Sequence, residues 1–327
     1  MDLVILMLIM FDQLQQSLNN MFEFKKIKKN LAILITFLGI CFCGFGVFGN
    51  DEKILQDKIK NKFTSSINNN LNNITNSFSN FFNSKENVKH FEINSEFNDN
   101  EKFSFGLLNV NKILEKNNLV FFNQNSLSIN DDQTINLGLG ARNLIYDDKI
   151  IIGTNIFYDH SFQENHKRNG IGLEGKSSLL DVTYNYYNAI TGKKTTSNGS
   201  EEALDGSDFR LDYHIPIKGN IDVFVNFFEF ENAKKTYKQE GTQIGFSSKL
   251  ENIKLEAGYQ DDNKGNDGGF LKIAYVINLG KVDSSNSSDI SATQMVSVKD
   301  RLYEPVKREN KIRLVKINKS GVTVSGF

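Results

Sequence analysis

The sequence predicts an all-β fold: a transmembrane antiparallel β-barrel of about 12 strands, preceded by a short amphipathic helix and followed by a polar linker and a mixed C-terminal segment. Three observations carry the barrel. From about Val88 the chain alternates with a period of two, and one face of the alternation is apolar while the other holds Asn, Asp, Arg and Gly. The alternating runs are each roughly ten residues long, enough to cross a bilayer at a tilt, and their apolar faces often end in Tyr or Phe, as an aromatic girdle would. The connections alternate between tight ones ("KSSLLD", "PIKGN", "LENIK") and longer polar ones ("NAITGKKTTSNGSEEALDGS", "ENAKKTYKQEG", "DDNKGNDGG"). Short turns at one rim and long loops at the other belong to a barrel in an outer membrane.

The first 49 residues read as a leader. Lys25, Lys26, Lys28 and Lys29 precede an apolar run from Leu31 to Phe48, and small residues lie near Gly49. That is the layout of a Sec-type signal peptide cleaved between Gly49 and Asn50. The run also reaches the lower edge of a spanning helix, so a signal anchor is the alternative. Residues 1–20 lie upstream of a second candidate start, Met21. Both cysteines, Cys41 and Cys43, fall in the leader, which excludes disulfide scaffolds and thiolate metal sites from the body. Ile40 before Cys41 argues against a lipoprotein box. A net charge of −1 without a long basic stripe gives no nucleic-acid partner. Only 2 prolines in 327 residues suit long uninterrupted strands.

Residues 50–87 form a periplasmic helical segment in this reading. Ile67, Leu71, Ile74, Phe78 and Phe81 recur at helical spacing, although many Asn residues lower the propensity. The barrel occupies residues 88–281. In "QTINLGLGARNL", Ile135, Leu137 and Leu139 oppose Asn136, Gly138, Gly140 and Arg142. In "GTNIFYDHSF", Ile156 and Tyr158 oppose Gly153, Asn155 and Asp159. Gly170, Gly172 and Glu174 share the polar face of the next run, and Asp208, Arg210 and Asp212 that of "DFRLDYHIP". "LDVTYNYYNA" and "GFLKIAYVINL" alternate likewise. In a barrel the polar set faces the lumen and the apolar set faces lipid. The inward glycines are expected to leave room for a threaded chain. The inward charges either bind that chain or pair with one another across strands.

"INLGLGARNLI" followed by "IIIGTNIFYDHSF" resembles the paired strands of the inverse autotransporter β-domain, the membrane anchor of the intimin and invasin family. "KRNGIGLEG" resembles that family's next strand, and "EEALDGSDFRLDYHIP" its long loop and D-x-R strand, without the usual Arg-Pro. "VKRENKIRLVK" resembles its exit segment, with Glu309 and Val315 as departures. The likeness runs from about residue 70 to 317. It implies that residues 282–327 supply a linker, a lumen-threading stretch and a short C-terminal stub, with Lys307, Arg308, Asn310, Lys311, Ile312 and Leu314 in the threaded part. Lys307, Arg308, Lys311 and Arg313 are then expected to meet Asp159, Glu174, Asp208 and Asp212. The sequence departs from the family at Phe327, a few residues past the exit motif, so the expectation is an anchor without the C-terminal passenger.

The functional expectation is therefore an outer-membrane anchor and translocator that threads its C-terminal segment to the cell surface for display or adhesion. A freestanding porin or channel-like barrel is the alternative. The partners expected are outer-membrane lipid, the barrel-assembly machinery with periplasmic chaperones, and a host or neighbouring-cell surface. No enzyme activity, cofactor or metal is expected. The G-x-G of "GLGAR" lacks a following helix and a placed acid. "DDNKGNDGG" has Lys272 where a calcium loop needs a bidentate Glu. His160 and Ser161 face opposite sides of one strand and cannot form a simple hydrolytic pair.

Overall fold

The computed structural model describes residues 87–98, 101–129, 133–162, 165–197, 199–216, 221–250, 252–278, 295–318 and 323–326. The expected leader and the expected amphipathic helix lie outside these residues, as does the stretch 279–294.

Twelve strands close into one antiparallel barrel. In chain order they are β1 (Val88–Asn98), β2 (Glu101–Lys116), β3 (Leu119–Ile129), β4 (Gln133–Ile145), β5 (Ile150–Ser161), β6 (Lys167–Ser177) and β7 (Leu180–Ala189), and then, after a small hairpin of β8 (Lys194–Thr196) and β9 (Gly199–Ala203), β10 (Asp205–Ile215), β11 (Ile221–Glu231), β12 (Lys238–Leu250), β13 (Ile253–Asp262) and β14 (Gly268–Asn278). Each barrel strand pairs with its neighbour in sequence, and β7 pairs directly with β10. The seam is β1 against β14, in register from His90↔Asn278 to Asn98↔Phe270. Closure leaves no open edge, which is what lets a sheet cross a bilayer with every backbone group paired.

The alternation read from the sequence decides which side each residue takes. Along β5, Ile152 and Ile156 stand about half exposed on the outside, whereas Ile151, Asn155, Phe157 and Asp159 are buried inside. Ile171, Leu173, Tyr184, Tyr186, Phe227, Ile244, Phe246 and Tyr259 continue the outer band. Such a surface would be unfavourable in water, and lipid is its natural solvent. Among the described residues no helix is long and apolar enough to cross a membrane. The crossing is made by strands.

The rims differ. The ends of β2, β4, β6, β10 and β12 share one rim with the starts of β3, β5, β7, β11 and β13, and the ends of β1, β3, β5, β7, β11 and β13 share the other with the starts of β2, β4, β6, β10, β12 and β14. Tyr146, Asp147 and Asp148 all adopt positive φ in the β4–β5 turn. Asp tolerates that region better than Tyr, whose side chain is left almost wholly exposed. The turn presents the Asp148 carbonyl, which accepts the Val298 N–H at 2.7 Å.

A second, four-stranded sheet was not foreseen. β15 (Leu314–Asn318) and β16 (Thr323–Gly326) join the loop hairpin in the order β16-β15-β9-β8. The stretch 190–204, expected as a plain polar loop, holds two of these strands. "KTT" and "GSEEA" carry no apolar alternation, so their strand character comes from pairing with each other, to which β15 adds along the other edge of β9, and not from local preference.

Candidate functional site: the lumen and the segment it holds

Residues 295–318 run through the barrel from the short-turn rim to the long-loop rim. At the first rim Val296 and Val298 bond to the β6–β7 and β4–β5 turns through Ser178 Oγ and the Asp148 carbonyl. A short 3-10 turn, Lys299–Arg301, follows. Arg301 donates to the Ser177 carbonyl at 2.7 Å and to both carboxylate oxygens of buried Asp181. At the far rim Leu314 pairs with Ala203 of β9.

Between these ends the wall grips the segment's backbone. Arg142 donates to the carbonyls of Leu302 and Glu304 at 2.6 and 2.7 Å. Gln124 Oε1 accepts the Val306 N–H at 2.7 Å, and Asn185 Nδ2 donates to the Lys307 carbonyl at 3.0 Å. Arg168 donates to the Glu309 carbonyl, Asn136 donates to that of Asn310, and the Tyr187 hydroxyl accepts the Glu309 N–H. An extended chain has no internal partners for these groups, so the wall supplies them. Apolar contacts add to this grip: Val298 and Leu302 pack on Val120, Leu144 and Ile151, and Val306 packs on Leu108, Val110, Phe122 and Phe157.

Charge holds the middle of the path. Asp159 is fully buried and accepts from Asn136 at 2.7 Å, from Arg168 at 2.8 Å and from both Arg308 amino groups at 2.7 and 3.0 Å. Lys307 reaches Asp212 at 3.0 Å, and Lys176 of β6 reaches Glu304 of the segment at 3.3 Å. Buried carboxylates stay favourable only with this full complement of donors.

The sequence reading had the inward glycines leave room for the threaded chain, and the structure corrects it. At Gly138 the ring of Phe157 fills the space, at Gly140 that of Phe122, at Gly172 the side chains of Asn155 and Asn185, and at Gly153 that of Glu174. Gly170 alone of these five meets the segment, through Arg308. The missing Cβ atoms let neighbouring side chains lie flat on the wall, and the guanidinium groups then stack on those rings. Arg142 lies 4.5 Å from the Phe122 centroid, Arg308 4.1 Å from Phe157 and Arg168 4.3 Å from Tyr187. Over Gly153, Arg142 of β4 reaches across β5 to Glu174 of β6 at 2.6 Å.

The expected charge partners sort into two groups. Asp159 and Asp212 take cations of the segment, as supposed. Glu174 is instead held by Arg142 and Lys176 of the wall, and Asp208 accepts from Asn185 and Tyr187. Arg210 binds Asp212 and Glu256 and lies 3.8 Å from the Phe224 ring centroid. Lys311 is 3.9 Å from Glu96, Arg313 pairs with Glu309 of its own segment, and Ile312 and Leu314 pack with Ala203 near the mouth. Arg301, Glu304 and Lys176 were not among the residues expected at the site. Asp181, Asn185 and Tyr187 of β7 fall on the polar face of "LDVTYNYYNA", as the alternation places them, but no role was expected of them. Asp262, in the loop that faintly suggested calcium, accepts from Gln239, Lys264 N and Asn266.

A family model for the inverse autotransporter beta-domain matches residues 48–310. The chain belongs to that family. Comparison with curated protein sequences finds no match. A barrel solved in work on the in-meso crystallization of membrane proteins is similar in fold, with TM-score 0.58 and 18% identity over 69% of this chain and 98% of that one. An outer-membrane channel of Pseudomonas putida is less similar, with TM-score 0.45 and 10% identity over 58% and 95% of the two chains. As an inverse autotransporter β-domain with a lipid-facing outer band, the protein is a bacterial outer-membrane barrel.

Proposed function

We propose that this β-domain is an anchor and translocator that carries its own C-terminal segment through the lumen to the cell surface, for display or adhesion. One observation supports the reading above others. The segment enters among the short turns, is bonded along its backbone by the wall, and leaves among the long loops, where it joins β9. A group serving only to block a pore would have no need to emerge and pair beyond the far rim. Delivery of so apolar an outer face across the periplasm calls for a Sec-type leader, chaperones and the barrel-assembly machinery. The surface partner would be a host or neighbouring cell, met by whatever the exit segment presents.

Planar-bilayer recording tests this. The intact protein should conduct poorly, and deletion of residues 285–327 should open a stable conductance. A large steady current in the intact protein, unchanged by the deletion, would make the barrel a porin instead.

A further inference from the structure

β9 stands at the exit as half of a hairpin that offers one edge to β8 and the other to the emerging chain. Its pairing with β15 runs Leu314↔Ala203, Val315↔Glu202, Lys316↔Glu201, Ile317↔Ser200 and Asn318↔Gly199. The Leu204 N–H donates to the Arg313 carbonyl at 3.0 Å, which fixes the orientation of this edge. By strand alternation the N–H groups of Glu202 and Ser200 also face β15, and those of Glu201 and Ala203 face β8.

Besides its pairing with β15, the β8–β9 hairpin is bound by the barrel loops through contacts in which β15 takes no part. Glu201 Oε1 lies 2.9 Å from His166 Nε2 of the β5–β6 loop, and Lys194 donates to the Asn165 carbonyl at 2.7 Å. On the opposite face Glu202 accepts from Ala233 N at 3.2 Å and Asn232 Nδ2 at 3.4 Å, both in the β11–β12 loop. A two-stranded hairpin alone is marginal in water, yet this one is fastened on both faces. Beside it lies an apolar seat of Tyr187, Leu204, Phe228, Phe230 and Tyr237, into which β15 sets Val315.

We infer that β9 is a preformed strand template which captures the emerging chain by β-augmentation and so biases its movement outward. This rests on the translocator reading. Backbone pairing is tolerant of side chains, so each extended stretch reaching the mouth presents the same N–H and C=O groups to the β9 edge. The Val315 seat then selects the register that persists.

The test uses the full chain with an epitope tag after Phe327, expressed in cells and followed by pulse-chase. Surface exposure of the tag is read with antibody on intact cells, and barrel assembly by heat-modifiable mobility. Ser200→Pro removes a donor facing β15 and should slow surface exposure about tenfold, while Ser200→Ala, which keeps the donor, should match the parent chain. Equal exposure rates in Ser200→Pro and the parent overturn the template. A tag that never reaches the surface in the parent overturns the translocator reading itself. If Ser200→Pro does not assemble, the pair Ser200→Cys with Ile317→Cys carries the test, since the only native cysteines lie in the leader. A crosslink that forms while exposure is still rising supports capture, and one that forms only after exposure is complete overturns it.

Discussion

Strands β3 to β7 and strands β11 to β14 enclose the same segment with unlike walls. The first wall touches it closely, through Gln124, Asn136, Arg142, Asp159, Arg168, Asp181, Asn185 and Tyr187. The second, with β1, faces a polar cavity of about 230 Å³ bordered by Glu92, Glu96, Gln243, Lys254, Glu256 and Lys272. At ~30 Å³ per molecule such a space admits several waters. Charge therefore has two different meanings inside one barrel. On the close wall the carboxylate of Asp159 is wholly enclosed by fixed donors, whereas the carboxylates of the second wall pair with wall cations beside open space.

The sharpest way to break that contrast is to neutralise one acid on each side. Asp159→Asn should strand Arg168 and Arg308 and cost about 3–5 kcal/mol. Glu256→Gln leaves Arg210 its Asp212 partner at 2.9 Å and should cost only about 1–2 kcal/mol. Urea unfolding in micelles, followed by heat-modifiable mobility, compares the two, and equal losses would erase the distinction between walls.

Next in size is the insertion of a cation. Ile156→Arg on the lipid face should cost about 2–4 kcal/mol near the midplane. Asn155→Arg enters a crowded place against Gly172 and should cost about 1–3 kcal/mol through overpacking. Gln243→Arg, beside the cavity, should cost under about 1 kcal/mol. If Asn155→Arg proves as mild as Gln243→Arg, the close wall is less packed than described.

Smaller still is a single methyl group. A Cβ on Gly153 would sit 2.5 Å from Glu174 Oε1, so Gly153→Ala should disturb the Arg142–Glu174 pair and cost about 1–3 kcal/mol. Gly175→Ala, with nothing within 4 Å, should stay within about 0.5 kcal/mol in the same assay. The least effect is expected from Glu96→Gln on the open wall, whose contacts with Lys311 at 3.9 Å and Lys272 at 3.8 Å should together contribute less than about 0.5 kcal/mol. A loss above about 1 kcal/mol there that Lys311→Gln reproduces and Lys272→Gln does not would mean that this wall also grips the segment.

The barrel was legible because the period of two assigns each residue a side, and Ile156 beside Asn155 needs no tertiary information to be sorted. Which inward groups pair was not legible. Arg142 lies opposite Gly153 in register, and its reach to Glu174 two strands away depends on that glycine lacking a side chain. Strands β8 and β9 were illegible for another reason, since neither "KTT" nor "GSEEA" has a pattern of its own and the second partner of β9, β15, lies more than a hundred residues away. Arg301 and Glu304 lie in a stretch with no alternation or motif, so nothing local marks them. Their role follows from where the short-turn rim places Ser177 and Asp181.

The row Arg142–Gly153–Glu174 also acts on the assembly of the sheet. Antiparallel strands that slip by two residues keep their inside and outside faces, so hydrophobicity alone cannot reject the error. Here a slip between β4 and β5 would set Ile151 or Asn155 against Arg142, and either side chain would stand in the way of Glu174. Register in turn fixes the stagger of the strands, and stagger fixes the width of a closed barrel. A single missing Cβ thus works as a notch that only one alignment fits, and the bore through which the segment passes is gauged by it.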